Sequence, residues 1–161
     1  MPVTAIHKDP ANLTMTVEAE FAAPVERVWN AYADPRQLEK FWGPPGWPAT
    51  FERHDFAPGG RSAYYMTGPN GEKSRGYWEF VRVDAPTEFE VLDGFAQDNG
   101  APNPNMPAMR MHVKLLADGA RTKVVFVSTF SSLEAMETVL KMGMEEGLRA
   151  ALNQADALFA A

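Results

Sequence analysis

The chain has 161 residues, of which 45% are hydrophobic and 22% are charged, and its formal net charge at pH 7 is −6. These values are typical of one soluble globular domain with a sizeable core. The acidic balance and the scattered basic residues exclude nucleic acid and anionic membranes as expected partners. No apolar run has the length of a membrane span or of a signal peptide, so we expect a cytoplasmic protein.

The N-terminal third predicts a lead-in, a strand and two helices. Residues 1–11 contain two prolines and show no hydrophobic period, so we expect them to be irregular. From Leu13 to Phe21, apolar and polar residues alternate strictly, which predicts the first strand, with one buried face. Pro24 suits the first turn of a helix, and Pro35 ends that helix and opens a short second one that runs to Phe41.

A loop rich in proline and glycine comes next, and strands follow it. Residues 41–48 contain three aromatic side chains, so this loop has apolar surface to bury. From residue 49 the hydrophobic period is two and the turns are mostly tight, which predicts antiparallel hairpins. A longer loop, Asp98–Pro107, interrupts the series. The predicted strands are Thr50–Phe56, Arg61–Thr67, Lys73–Val83, Thr87–Phe95, Met109–Leu116 and Arg121–Phe130.

The last thirty residues predict a long amphipathic helix. Ser131 and Glu134 have the spacing of a capping box, and apolar residues then recur at helical spacing as far as Phe159. The apolar stripe rotates at Gly143, so we expect a break there. The whole predicts one α+β domain over 1–161, with its core at 13–160 and a curved antiparallel sheet of about seven strands wrapped around the final helix.

Besides this pattern of elements, the sequence contains a set of short motifs that resemble those of a known superfamily. The motifs are Phe21-Ala-Ala-Pro24, Phe41-Trp-Gly-Pro44, Asp55-Phe-Ala-Pro-Gly-Gly60, Val83-Asp-Ala-Pro86 and Gly143-Met-Glu-Glu-Gly147. In this order they resemble the START-like (SRPBCC) superfamily, and within it the branch named after the activator of the 90-kDa heat-shock protein ATPase. The resemblance implies a helix-grip fold with an apolar cavity, which relatives use for lipid binding, polyketide cyclisation, toxin sequestration or chaperone contact.

Such a cavity would be lined by the residues that face the concave side of the predicted sheet and by the neighbouring loop and helix. Methionine is abundant among them, and its flexible thioether often lines adaptable pockets. The alternative is that these side chains simply fill the core. The candidates are Trp42, Tyr64, Met66, Phe89, Val91, Phe95, Met109, Met111, Phe126, Ser128, Met136, Leu140 and Met144.

Three residues are candidates for acid–base catalysis: Asp93, Tyr64 and His54. Asp93 interrupts an apolar row, so it is either a pocket acid with a raised pKa or a structural acceptor for backbone amides near Gly94. The Asp-Gly composition favours the structural role. The histidines lack metal-ligand spacing, and the recognised catalytic and cofactor-binding motifs are missing. We therefore expect neither a metal nor a cofactor.

Three functions are compatible with these features. We favour the binding of a small hydrophobic or aromatic molecule, with residues 41–44 and 98–107 flanking the cavity mouth. A polyketide cyclase or hydrolase-type enzyme is the first alternative, and a chaperone-interacting module, which no sequence feature supports, is the second. A cavity without converging titratable groups favours a binder, two such groups within hydrogen-bond reach favour an enzyme, and no cavity favours the module. The sequence is also compatible with a homodimer.

Overall fold

The chain folds as one curved antiparallel sheet with helices on its concave side, which is the helix-grip fold. The computed structural model describes residues 2–160. Its elements are β1 (Val3–Asp9), β2 (Thr14–Phe21), α1 (Val25–Ala33), α2 (Pro35–Leu38), β3 (Ala49–His54), β4 (Arg61–Thr67), β5 (Lys73–Asp84), β6 (Glu88–Phe95), β7 (Met109–Asp118), β8 (Arg121–Phe130), α3 (Leu133–Lys141) and α4 (Met144–Ala160). The strand order is β1-β2-β8-β7-β6-β5-β4-β3. Over residues 2–160, no helix combines the length and apolar character of a membrane span.

Alternation in the strands builds the concave face. In β2, Met15, Val17 and Ala19 are buried while the residues between them are more exposed. Strand β8 pairs with β2 so that Val17 lies opposite Phe126 on the same buried face. Period-two alternation therefore creates one apolar surface, which the helices cover.

Helix α1 covers one end of this surface with aromatic side chains. Trp29 and Tyr32 both contact Phe89 of β6, with ring centroids 6.0 and 5.5 Å apart. Phe56 packs against Trp29 and Phe89 at 5.1 and 5.2 Å. This end of the concave face is solid core, because large rings meet there from α1, from β6 and from the segment after β3.

The prediction of an irregular lead-in over residues 1–11 was wrong, and the sheet has eight strands instead of about seven. Val3–Asp9 forms β1, which pairs with β2 at the edge of the sheet. Only Val3 and Ile6 of this strand pack against the core. An edge strand exposed over most of both faces needs no strict alternation, so its sequence carries no period-two signal.

The C-terminal segment is two helices, and the predicted break at Gly143 is confirmed. Gly143 has φ of 89°, a left-handed conformation that glycine adopts without strain and that ends α3. The predicted capping box does not form, because the N-cap is Ser132 and not Ser131: the Ser132 hydroxyl accepts a hydrogen bond from the Ala135 amide at 3.0 Å, and alanine has no polar side chain to bond back. The second short helix is also shorter than predicted and ends at Leu38.

Candidate functional site

A pocket of about 610 Å³ lies between the C-terminal helices and the half of the sheet that α1 leaves uncovered. It is partly open to solvent, and most of its lining surface is apolar. Strands β4 to β7 form its floor, α3 and α4 form one wall, and loops form the rim. The lining residues are Trp42, Pro44, Trp47, Tyr64, Met66, Ser74, Arg75, Gly76, Asp93, Gly94, Phe95, Pro107, Met109, Met111, Val139, Met142, Gly143, Met144, Gly147, Leu148 and Ala151.

The loop between α2 and β3 is attached to α4 and forms part of the rim. The Gln154 side-chain amide donates hydrogen bonds to the carbonyl oxygens of Phe41 and Gly43, at 3.2 and 2.6 Å. The Trp42 ring meets the buried Trp78 edge-on, with centroids 4.9 Å apart. These contacts hold Trp42 at the mouth. Pro107, from the loop between β6 and β7, also lines the pocket.

Glycine at position 76 lets the Tyr64 ring lie flat across the neighbouring strand. Tyr64 pairs with Gly76 between β4 and β5, and a Cβ at Gly76 would lie 2.5 Å from the Tyr64 ring. Phe51 stacks on the other side of Tyr64, with centroids 4.9 Å apart. A larger residue at position 76 would displace the ring, so Gly76 positions the Tyr64 hydroxyl.

Asp93 and Tyr64 meet on the pocket floor. The Tyr64 hydroxyl donates a long hydrogen bond of 3.4 Å to Oδ1 of Asp93. Burial raises the pKa of Asp93 to about 7, while the Tyr64 hydroxyl and the Trp78 indole N–H favour the ionised form and oppose this shift. Among the described residues, the Trp78 indole N–H makes no hydrogen bond of regular geometry, and it is the weaker of the two donors that oppose the rise in the pKa of Asp93.

The structural role that we favoured for Asp93 is wrong. Its carboxyl accepts a hydrogen bond from the Tyr64 hydroxyl and lines the pocket, and it does not accept hydrogen bonds from the backbone amides near Gly94. Gly94 is small for a different reason, because a Cβ there would lie 2.6 Å from the hydroxyl oxygen of Tyr77 on the opposite face. Asp93 and Gly94 are therefore adjacent for two separate reasons, the first facing the pocket and the second making room for Tyr77, and they do not form a turn.

Asp93 has no cationic partner among the residues that line the pocket. The other titratable lining residues are Tyr64 and Arg75. Burial and the neighbouring Asp93 raise the pKa of Tyr64 well above its usual value, so its hydroxyl stays neutral. The Arg75 guanidinium is bound to Glu52 at 2.9 Å and lies over the Tyr65 ring, on the other face of the sheet. The pocket thus holds one acid and no free cation.

His54 does not reach the pocket. Its Nε2 lies 2.7 Å from the Tyr32 carbonyl oxygen and its Nδ1 lies 2.7 Å from the Ser62 hydroxyl. A carbonyl only accepts, so Nε2 carries the proton and Nδ1 accepts from Ser62. Burial lowers the pKa of His54 and keeps it neutral. With both nitrogens engaged away from the pocket, His54 is a structural residue and not a catalytic candidate.

The predicted lining residues divide into two groups. Seven of them line the pocket: Trp42, Tyr64, Met66, Phe95, Met109, Met111 and Met144. The other six lie elsewhere, among core side chains or packed against them: Phe89, Val91, Phe126, Ser128, Met136 and Leu140. Phe89 is covered by the rings of α1, and Val91, Phe126 and Ser128 are buried in the sheet beside it. Met136 is buried on α3, and Leu140 of the same helix packs against the core.

Sequence reasoning missed several lining residues. Gly147 and Ala151 are small residues on α4 whose size leaves room for the pocket. Their spacing of four, together with Gly143 one turn earlier, was a usable signal for a helix face that approaches an open space. Trp47 was recognised only as one of the aromatics in the loop, and nothing in the local pattern indicated where it would be buried.

The pocket has no arrangement that would hold a metal ion. No cluster of three or more histidine, aspartate or glutamate side chains within residues 2–160 has suitable geometry. The one acid that lines the pocket, Asp93, has no second carboxylate or imidazole beside it.

An eight-stranded helix-grip sheet with an apolar pocket under a broken C-terminal helix defines a START-like protein. The family model described as "Activator of Hsp90 ATPase homolog 1-like protein" matches residues 22–160, and the chain belongs to this family. No curated protein matches the chain.

Solved structures agree with this assignment. A protein from Mycobacterium smegmatis is 51% identical, with a TM-score of 0.90 over 98% of this chain and 96% of its own. A protein from Arthrobacter aurescens is 49% identical, with a TM-score of 0.94 over 98% and 92% of the two chains. One from Staphylococcus epidermidis is 28% identical, with a TM-score of 0.85 over 98% and 94%.

Proposed function

We propose that this protein binds a small hydrophobic or aromatic molecule in the pocket between the C-terminal helices and the sheet. The volume of about 610 Å³ is the observation that carries the proposal. Small-molecule sites are concave, mostly apolar and typically about 300–1,000 Å³, with a few converging polar groups that set the orientation of the ligand. The apolar walls and the Asp93–Tyr64 pair match this description.

The composition of the walls favours a flat or flexible apolar ligand. Five methionines line the pocket: Met66, Met109, Met111, Met142 and Met144. Methionine adapts its shape and makes favourable contacts with aromatic rings. Trp42 and Trp47 at the rim add large apolar surfaces that remain partly accessible.

A pocket-filling substitution tests the proposal. A Cβ added at Gly147 would meet no atom within 4 Å, so a phenylalanine there extends into the empty space of the pocket. The neutral probe N-phenyl-1-naphthylamine should fluoresce on binding to the wild type, and Gly147→Phe should weaken its binding by about tenfold or more. The matched control is Asn153→Phe, which adds the same side chain to an exposed position of the same helix.

The two variants give a clear decision. Retained probe affinity in Asn153→Phe, together with its loss in Gly147→Phe, supports binding in the pocket. If both variants bind the probe with wild-type affinity and keep their helical content by circular dichroism, the probe binds elsewhere and the proposal is contradicted.

A second candidate function is supported by one observation. Asp93 and Tyr64 are two titratable groups 3.4 Å apart inside the pocket, and a carboxyl with a pKa of about 7 suits proton transfer near neutral pH. By the criterion given above, this pair favours an enzyme of the cyclase or hydrolase type, with Asp93 as general acid or base. Binding remains the first proposal because the Tyr64 hydroxyl, whose pKa is raised well above its usual value, stays neutral, so only Asp93 can exchange a proton near neutral pH. Hydrolysis of 1-naphthyl acetate above background that disappears in Asp93→Asn would support it, and identical rates in both proteins would count against it.

The third hypothesis, a chaperone-interacting module, has less support. The family carries its name from activators of the Hsp90 ATPase, but we expected a module of that kind to have no cavity. A pocket with a defined polar pair instead favours binding or catalysis over contact through the surface alone.

A further inference from the structure

We propose that the preferred ligand of this pocket is a hydrophobic amine, with its protonated nitrogen against Asp93 and its apolar body among the methionines. This inference rests on the proposed function and names the chemical class of the ligand. It depends on the charged side chains of the pocket and on the aromatic rings that line it.

The pocket contains one carboxyl, that of Asp93, and this carboxyl has no cationic partner in the lining. Asp93 receives a single long hydrogen bond from Tyr64, which leaves further acceptor sites on its two oxygens. The cationic residue in the lining is Arg75, and its guanidinium is already held by Glu52 on the other face of the sheet. Asp93 is half-buried, and a carboxylate withdrawn from water without a cation beside it is costly. A cation delivered by a ligand reduces that cost.

The aromatic lining suits a cation as well. Trp42, Trp47 and Tyr64 line the same pocket as Asp93. The faces of aromatic rings attract ammonium groups, most strongly where water is excluded. A protonated amine would therefore donate a charge-assisted hydrogen bond to Asp93, and the tryptophan rings at the rim would attract it as it enters.

Other polar groups fit less well. A ligand carboxylate would lie beside Asp93 with no lining cation to offset the repulsion, and both charges would be desolvated. A hydroxyl could hydrogen-bond with Asp93 but would leave its charge uncompensated. The rest of the lining is mainly apolar and does not discriminate strongly among these three groups.

Three probes with the same ring system separate the classes: 1-naphthylmethylamine, 1-naphthalenemethanol and 1-naphthoic acid. Isothermal titration at pH 8 should give an affinity for the amine about tenfold or more above that for the alcohol, with the acid weakest. In Asp93→Asn the amine should lose that advantage and bind like the alcohol, whose own affinity should change by less than about threefold. The control Glu20→Gln removes one charge from an exposed site on β2 and should retain the preference for the amine.

The outcomes distinguish the two proposals. Binding of the alcohol or the acid as tightly as the amine overturns the inference but leaves the pocket as a binding site. A preference for the amine that persists in Asp93→Asn, or that is lost equally in Glu20→Gln, also overturns it. Failure of all three probes and of N-phenyl-1-naphthylamine to bind overturns the proposed function, and the inference with it.

Discussion

Replacement of Asp93 by asparagine should stabilise the protein above neutral pH. The carboxyl is ionised there, in a site whose burial raises its pKa from 3.8 to about 7. Such a shift corresponds to at most about 4 kcal/mol of folding free energy lost once the group is ionised, and to less where solvent reaches the half-buried side chain. Asparagine keeps the shape without the charge, and since it reproduces the protonated acid only in part, we expect a gain of about 1–3 kcal/mol at pH 8.

The pH dependence gives the sign of the effect. The folded state binds the Asp93 proton more tightly than the unfolded state, so this group lowers stability progressively as pH rises from about 4 to about 7. Above that range its contribution is constant. The gain in Asp93→Asn should therefore be largest at pH 8 and vanish near pH 4.

Urea unfolding at several pH values measures this directly. The control is Asp98→Asn, which removes a carboxylate from an exposed position in the loop after β6 and should change stability by less than about 0.5 kcal/mol. A variant Asp93→Asn that is less stable than the wild type at pH 8 would refute the reasoning. It would show that the ionised carboxylate is held by favourable hydrogen bonds.

Three further predictions concern the residues around the pocket. His54→Ala should lower stability by about 1–3 kcal/mol in urea unfolding, because the substitution leaves the buried Ser62 hydroxyl and the Tyr32 carbonyl unpaired. Probe affinity should stay unchanged in this variant, and a loss of affinity at unchanged stability would contradict the structural role of His54. Gly143→Ala should cost about 1–2 kcal/mol because of its left-handed backbone, whereas Gly147→Ala should be neutral or stabilising by thermal melting, and equal losses would contradict the assignment of the helix break. Leu152→Ala should destabilise by about 2–5 kcal/mol in the same urea assay, because Leu152 is fully buried, and a cost below about 1 kcal/mol would show that α4 packs differently.

Periodicity predicted most of the fold because most elements bury one face. The alternation in β2 and β8 and the helical spacing after Ser132 are direct consequences of burial on one side. Strand β1 escaped detection for the converse reason, since an edge strand with little burial is held mainly by backbone hydrogen bonds to its neighbour. Backbone pairing of that kind leaves no pattern in the side chains.

The site was only partly predictable, because a strand pattern gives the face of a residue but not its depth. Phe89 and Asp93 lie on the same face of β6, yet Phe89 is sealed by the aromatic rings of α1 and Asp93 opens into the pocket. The position of α1 over the sheet depends on tertiary packing, so the pattern within β6 cannot show which of its residues α1 covers. The role of Gly76 was hidden for a similar reason, since it depends on a ring contributed by the neighbouring strand.

Methionine methyl NMR tests most directly whether the pocket binds a small apolar molecule. Met66, Met109, Met111, Met142 and Met144 line the pocket, whereas Met15 and Met136 are buried in the core outside it. On addition of N-phenyl-1-naphthylamine to protein labelled at the methionine methyl carbons, we expect the resonances of the five pocket methionines to shift and those of the two core methionines to remain in place. Shifts confined to Met15 and Met136, or binding that leaves all five pocket resonances unmoved, would contradict the account.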